Sequence, residues 1–485
     1  MSLKKRLKFA SLISISTFIF LTSWSFSNPI GSSPDEGLHL VGIWCNKADQ
    51  NVLCSNINEG YLTSNKLSGL DSCYIYDADQ PASCILHKPN LYNVSPGYVN
   101  NLYYKSLSFF TSNNLEKSVL LMRVFNVSIF VFLTFISIMI LNSKILNGVL
   151  YTSLTLTIPL GMYLISSINT SSWILITSIF FIPFSLNIFE KNTILIKVIS
   201  FAIISGLIWL AVNSRLDGVL FIIIFSLIIL LHLFNKIFQT INTKIKNHHN
   251  FFQRLFVIFL SSIFIYLIYQ VSSKIVERSG LALYSSTQKV TLWETIFRFT
   301  SIITGALGSW GLGSLEVTMP DVVRFISLTL FIAVIFFSFA TKNLIHIFSI
   351  LILIYFLIFI IISFLYFSQL TVGQWLQPRY ILPLILSIGT ISFMNFQLNL
   401  KVFFRFSFIM SFFAFFFSLH TVLKRYTIGL NNNQFLINNH PEWWWKFTFP
   451  APMNLLLIAC ISYIIACVAC IKLIGNSSSN NSICN

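Results

Sequence analysis

Asp35, Glu36 and His39 lie within Ser33-Pro34-Asp35-Glu36-Gly37-Leu38-His39, just past the first long apolar run. Two carboxylates and an imidazole at a membrane surface can perform acid–base chemistry or hold a metal. The same spacing also suits a helix start. Ser33 would be the N-cap, Pro34 the first helical residue and Glu36 the third, which is a capping box. Asp35 and His39 would then share one helical face. The stretch is therefore either a capped helix or a catalytic carboxylate site. Glu36 is the better cap, which leaves Asp35 freer to face a cavity.

Other candidate residues sit at span ends. Arg215 and Asp217, in Asn213-Ser214-Arg215-Leu216-Asp217, share one boundary, where they form either a mutual ion pair or a substrate contact. Gln377, Arg379 and Tyr380 open a later span, and a guanidinium there can grip a phosphate through paired hydrogen bonds or act as an interfacial anchor. Arg123 and Asn126 make a polar spot inside the second span, and Asn169 precedes the fourth. Glu316 follows a glycine-rich stretch, Gly305 to Gly313. Asp35, Glu36, His39, Asn169, Arg215, Asp217, Glu316 and Arg379 are all expected near one boundary. That arrangement suits chemistry or binding on one side of a bilayer rather than an ion path, which needs ionisable groups at the midplane.

The elements that carry them are membrane spans. Hydrophobic residues make up 55% of the 485 and charged residues 9%, against about 25% charged in a soluble domain. Apolar runs fall at 7–26, 118–141, 146–166, 171–188, 193–212, 218–237, 254–272, 323–340, 344–367, 380–397, 402–420 and 452–474. The expected fold is an all-α integral membrane protein of about 12 helices. Residues 1–26 form the first helix, 27–117 a large extracytoplasmic loop, 118–272 helices two to seven, 273–322 a second outer loop, and 323–485 the remaining helices. Lys4, Lys5, Arg6 and Lys8 place the N-terminus in the cytoplasm, and an even helix count returns the C-terminus there.

The net charge of +16 is spread among apolar spans, so it signals topology and lipid contact, not nucleic acid. Cys45, Cys54, Cys73 and Cys84 share the first outer loop and are expected to form two disulfides, with three connectivities open. Trp443-Trp444-Trp445 reads as an interfacial anchor. There is no P-loop, no dinucleotide fingerprint and no zinc-protease motif.

Taken in order, Pro34-Asp35-Glu36 with His39, Arg123 with Asn126, Asn169, Arg215 with Asp217, Gly308 through Pro320, and Gln377-Pro378-Arg379-Tyr380 resemble the bacterial multi-pass family catalogued as domain of unknown function 2142. The resemblance spans residues 10–430. Pro378 stands where the family pattern has Gly, and Glu316 stands where it has Asp. That family is similar to the GT-C glycosyltransferases. The resemblance implies a polyprenyl-phosphate sugar donor, a glycan or lipid-linked acceptor, and an acid of the first outer loop at the active site, here Asp35 or Glu36. It also implies an inner-membrane location, with Arg379 or a divalent metal (Mg or Mn) balancing the leaving phosphate. The rival expectations are an O-antigen polymerase or ligase, a flippase or transporter of polyprenyl-linked lipid, and a non-enzymatic assembly partner.

Overall fold

The computed structural model describes residues 2–46, 54–57, 60–64, 73–75, 77–87, 91–94, 102–190, 192–242, 291–313, 315–340, 343–368, 377–394, 400–432, 434–437, 441–445 and 450–478. Among them the protein is a multi-pass helical bundle. Among the described residues nine helices are long and apolar enough to span a bilayer, or ten if one broken pair is counted as a span. The expected span at 254–272 lies outside the described residues.

In chain order the helices are α1 (Leu3–Phe26), α2 (Glu36–Cys45), α3 (Leu102–Leu107), α4 (Leu115–Ile140), α5 (Ser143–Tyr151), α6 (Ile158–Ile165), α7 (Ser171–Ile188) and α8 (Ile194–Ser214). They continue as α9 (Asp217–Asn242), α10 (Leu292–Thr304), α11 (Asp321–Phe339), α12 (Leu344–Ser368), α13 (Leu382–Met394), α14 (Leu400–Thr427) and α15 (Pro452–Ser478).

Three expectations are corrected. The run at 146–166 is not one straight span. A π turn over Thr152–Leu156 separates α5 from α6, and the two diverge by 94°. Pro159 cannot continue the ladder, and Ile158 takes a left-handed φ of 42°. The run at 380–397 yields only α13, a 13-residue helix buried along its whole length. The expected outer loop 273–322 contains α10, whose Thr291–Glu294 capping box starts a helix there.

α13 and α7 form the centre, and lipid-facing helices such as α8 surround them. α5 crosses α13 at backbone contact: a Cβ on Gly148 would lie 2.2 Å from the Thr390 carbonyl oxygen. α1 packs between α4 and α15. At the end opposite α2, the Arg6 guanidinium donates to the Ile138 and Leu141 carbonyls and caps the α4 C-terminus.

The first loop adds a small sheet to the expected all-helical fold. β1 (Cys54–Ile57), β2 (Gly60–Ser64) and β3 (Leu91–Val94) run antiparallel in that order, with Cys54 opposite Thr63 and Tyr61 opposite Val94. The disulfides are Cys45–Cys54, tying α2 to β1, and Cys73–Cys84. The top of α14 holds the second disulfide loop. Buried Arg425 donates to the Gln80 and Asp77 carbonyls at 2.9 Å each, and to that of Tyr74. Asn431 binds both Asp79 carboxylate oxygens at 2.9 Å.

Candidate functional site

The turn after α1 is built around a buried cation. Arg123 of α4 donates to the carbonyls of Ser25, Asn28 and Pro29 at 2.6–2.8 Å. The Ser25 carbonyl is one of the orphan acceptors that α1 leaves at its end, and the other two belong to the turn that follows. The same guanidinium binds both oxygens of Glu36, at 3.1 and 2.8 Å. Glu36 also accepts from the backbone N–H of Ile168 and Ser33. Neither side chain reaches solvent. Every oxygen of Glu36 is therefore engaged, and Arg123 is fully spent on the fold. Both residues position the site from behind.

The capping expectation is corrected in part. Asp35, not Ser33, is the residue before the first turn of α2, with φ at 60° and no side-chain cap. The Ser33 backbone N–H does reach Glu36, which is one half of a capping box, but the Ser33 hydroxyl has no partner among the described residues. The left-handed turn sends the two acids apart. Glu36 goes inward and Asp35 outward, where its side chain is 42% exposed.

Asp35 meets Arg379 from the turn before α13 as an ion pair. Arg379 is only 4% exposed, and its Nε and Nη1 have no hydrogen-bond partner among the described residues. The neighbouring Tyr380 ring lies between two guanidiniums, with Arg215 4.0 Å and Arg379 5.2 Å from its centroid. Arg215 is fixed by Asp217 at 2.7 Å and by the Ser171 hydroxyl at 2.8 Å. Asn169 donates to the Pro34 carbonyl at 2.6 Å and so braces the Asp35 turn. The structure thus brings Asp35, His39, Asn169, Arg215, Asp217, Arg379 and Tyr380 together. Gln377 supplies a backbone carbonyl that turns the chain toward Tyr380.

His39 Nδ1 lies 2.9 Å from the Tyr104 hydroxyl. Burial, with Arg379 and Arg215 nearby, pushes its pKa down to about 4 despite the attraction of Asp35. His39 is therefore neutral near pH 7. Burial would raise the Asp35 carboxyl, but Arg379, His39 and Arg215 outweigh it and hold the group below its ordinary value. Asp35 is a standing carboxylate.

Glu316 belongs to a neighbouring cluster. Its carboxylate folds over Gly313, where a Cβ would lie 2.4 Å from Oε1, and accepts from the Tyr426 hydroxyl at 2.7 Å. The structure places it among buried tyrosines, Tyr426 and Tyr163, and not against Asp35. The tryptophan run is also corrected. Trp445 donates to the Phe26 carbonyl at 3.0 Å and Trp444 packs on Tyr426, so both are buried in the protein instead of anchoring it in lipid.

A divalent metal does not fit this donor set. Among the described residues no three His, Cys, Asp or Glu side chains converge, and the Asp35 carboxylate faces two guanidiniums. Sequence reading missed Tyr104, Ser171 and Trp173. Trp173 donates to Asn126 at 3.0 Å and closes the floor beneath Tyr103. The Tyr103-Tyr104 pair ahead of the second span was the available signal.

The predicted membrane protein family DUF2142 matches residues 18–388. The chain belongs to that family. This DUF2142 protein carries Asp35, Arg215 and Arg379 inside the matched region, whereas Arg425 and Trp444 lie beyond it. No curated protein matches the chain, and no solved structure does.

Proposed function

We propose that this DUF2142 protein is a membrane glycosyltransferase that moves a sugar from a polyprenyl-phosphate carrier to a cell-surface glycan or glycoconjugate. The observation that carries the reading is the Asp35–Arg379 pair: a partly exposed carboxylate beside a buried guanidinium whose Nε and Nη1 have no hydrogen-bond partner among the described residues. In this reading Asp35 accepts the proton of the acceptor hydroxyl as that oxygen attacks the anomeric carbon. The bond to the carrier phosphate breaks, and Arg379 takes the developing charge on the departing oxygen through Nε and Nη1. Tyr380, whose ring also meets Arg215, packs against that guanidinium. His39, neutral and bonded to Tyr104, follows Asp35 by one helical turn, its backbone N–H donating to the Asp35 carbonyl at 3.0 Å. The similarity of the family to GT-C enzymes supports the same reading, as does a buried guanidinium at the start of an apolar helix.

The test is mass spectrometry of surface glycans and polyprenyl-linked intermediates from a deletion strain. A sugar-loaded carrier that accumulates, and is cleared by the wild-type gene but not by Asp35→Asn, is the expected result. Unchanged glycans and carriers would remove the reading. A second reading, a carrier-lipid transporter, draws on the 94° break between α5 and α6, since discontinuous helices are a transporter feature. It requires carrier to accumulate on the cytoplasmic face with its sugar intact.

A further inference from the structure

We propose that Arg298 is a second ligand for a lipid-borne phosphate, carried on a helix that lies in the membrane interface beside the Arg379 turn. This rests on the polyprenyl-phosphate reading above, and it names where the carrier enters. α10 has 13 residues, so it is about 20 Å long, well short of a span. Its capping box, Thr291 with Glu294, satisfies the first backbone N–H groups of the helix. Trp293 (67% exposed) and Phe297 (62% exposed) lie on one face with Ile296, while Thr295 and Ile302 are buried against the bundle. A short helix with an outward aromatic face is the form of an interfacial helix.

Arg298 is three residues after Thr295 and four before Ile302, on the side of α10 that faces the bundle. It is partly buried, and its Nη1 has no hydrogen-bond partner among the described residues. Glu294, one turn earlier, is committed to the cap through the Thr291 N–H at 3.1 Å. A buried guanidinium N–H left unpaired is costly, and phosphate oxygens are its best acceptors. The helix also joins the main site. It packs on the turn that carries Arg379, and Gly305 at its end lies so close to Pro378 that a Cβ would stand 2.6 Å from the ring. A lipid phosphate on Arg298 would therefore sit on the bundle side of α10, the helix that packs on the turn carrying Arg379, with the aromatic face left to the surrounding lipid.

The experiment uses the full chain in phosphatidylcholine nanodiscs doped with undecaprenyl phosphate or with phosphatidylglycerol, and counts retained lipid by native mass spectrometry. Arg298→Gln should lower undecaprenyl phosphate retention about tenfold, the loss of one charge-assisted hydrogen bond. Phosphatidylglycerol retention should not change. Arg298→Lys keeps the cation and should recover part of the loss, and it serves if the glutamine variant does not fold. Equal loss of both lipids would make Arg298 a general headgroup contact and overturn the proposal, as would no loss of either. A wild-type protein that retains no undecaprenyl phosphate would sink the function proposed above, whereas normal retention by Arg298→Gln sinks only this inference.

Discussion

Glu36 and Arg123 form a two-pronged ion pair, Nη2 to Oε2 at 2.8 Å and Nε to Oε1 at 3.1 Å, with no solvent contact on either side. Removing one partner of such a pair leaves a buried charge uncompensated, which costs about 3–5 kcal/mol. Glu36→Gln and Arg123→Met should therefore each lower the unfolding midpoint in detergent sharply. Arg123→Met should be the worse, because it also frees the Ser25, Asn28 and Pro29 carbonyls. A Glu36→Gln variant as stable as wild type would show that the pair does not hold the turn.

Asp35 separates from Glu36 by this criterion. Its side chain is 42% exposed, so Asp35→Asn should cost less stability than Glu36→Gln, although it leaves the buried Arg379 without its counter-charge. Under the glycosyltransferase reading it removes the base, and turnover should fall by about two orders of magnitude or more. Complementation of the deletion strain checks this alongside the melting curve. Full complementation by Asp35→Asn would leave the residue a helix-start acid and nothing more.

Arg379→Lys probes the anion side. An ammonium is a single point charge and cannot face Asp35 and a phosphate with separate, fixed donors. Retention of undecaprenyl phosphate should drop by about tenfold while the melting temperature stays near wild type. Loss of folding with no effect on lipid retention would instead make Arg379 an anchor for the turn before α13.

Much of this architecture was legible in the chain. The span at 171–188 matches α7 because its apolar run ends at polar residues on both sides. The break at Ile158 was not legible, since Pro159 sits in an unbroken apolar run and the π turn leaves no pattern of its own. α10 was read as loop, although Thr291 and Glu294 are a capping signal and Trp293 with Phe297 a helical pair. The site residues were named from their place at span ends. Their partners were not, because nothing local links Glu36 to Arg123 or Asp35 to Arg379. Only the packing of α4 and α13 against the turn after α1 makes those pairs, and it sorts a buried acid from an open one.

The loop disulfides give a connectivity that spacing alone left open. Peptide mapping without reductant should recover Cys45 linked to Cys54 and Cys73 linked to Cys84. Closing the loop between Cys73 and Cys84 restricts the unfolded chain by about 2–3 kcal/mol in the entropy model. The Cys73→Ser/Cys84→Ser double variant should lose about that much stability, and Arg425 would then hold its carbonyls less tightly. A Cys54–Cys73 peptide would overturn the arrangement.

His39 supplies the pH dependence. In the unfolded chain its imidazole takes a proton near its ordinary value of about 6.5. In the fold it stays neutral until about 4, because burial and the nearby Arg379 and Arg215 oppose the charge more than Asp35 favours it. Between those values the unfolded state binds more protons than the folded one, so stability rises with pH across the window. The penalty is absent above about 6.5 and grows as pH falls toward 4. Replacing His39 with Gln keeps an acceptor or donor for the Tyr104 hydroxyl but removes the titration. The difference in unfolding midpoint between Gln variant and wild type should therefore shift steadily in the variant's favour as pH is lowered through that window. Other histidines titrate identically in both proteins and cancel in the difference. A difference that stays constant with pH would mean that His39 titrates as in water, and that the Tyr104 contact does not hold it among the arginines.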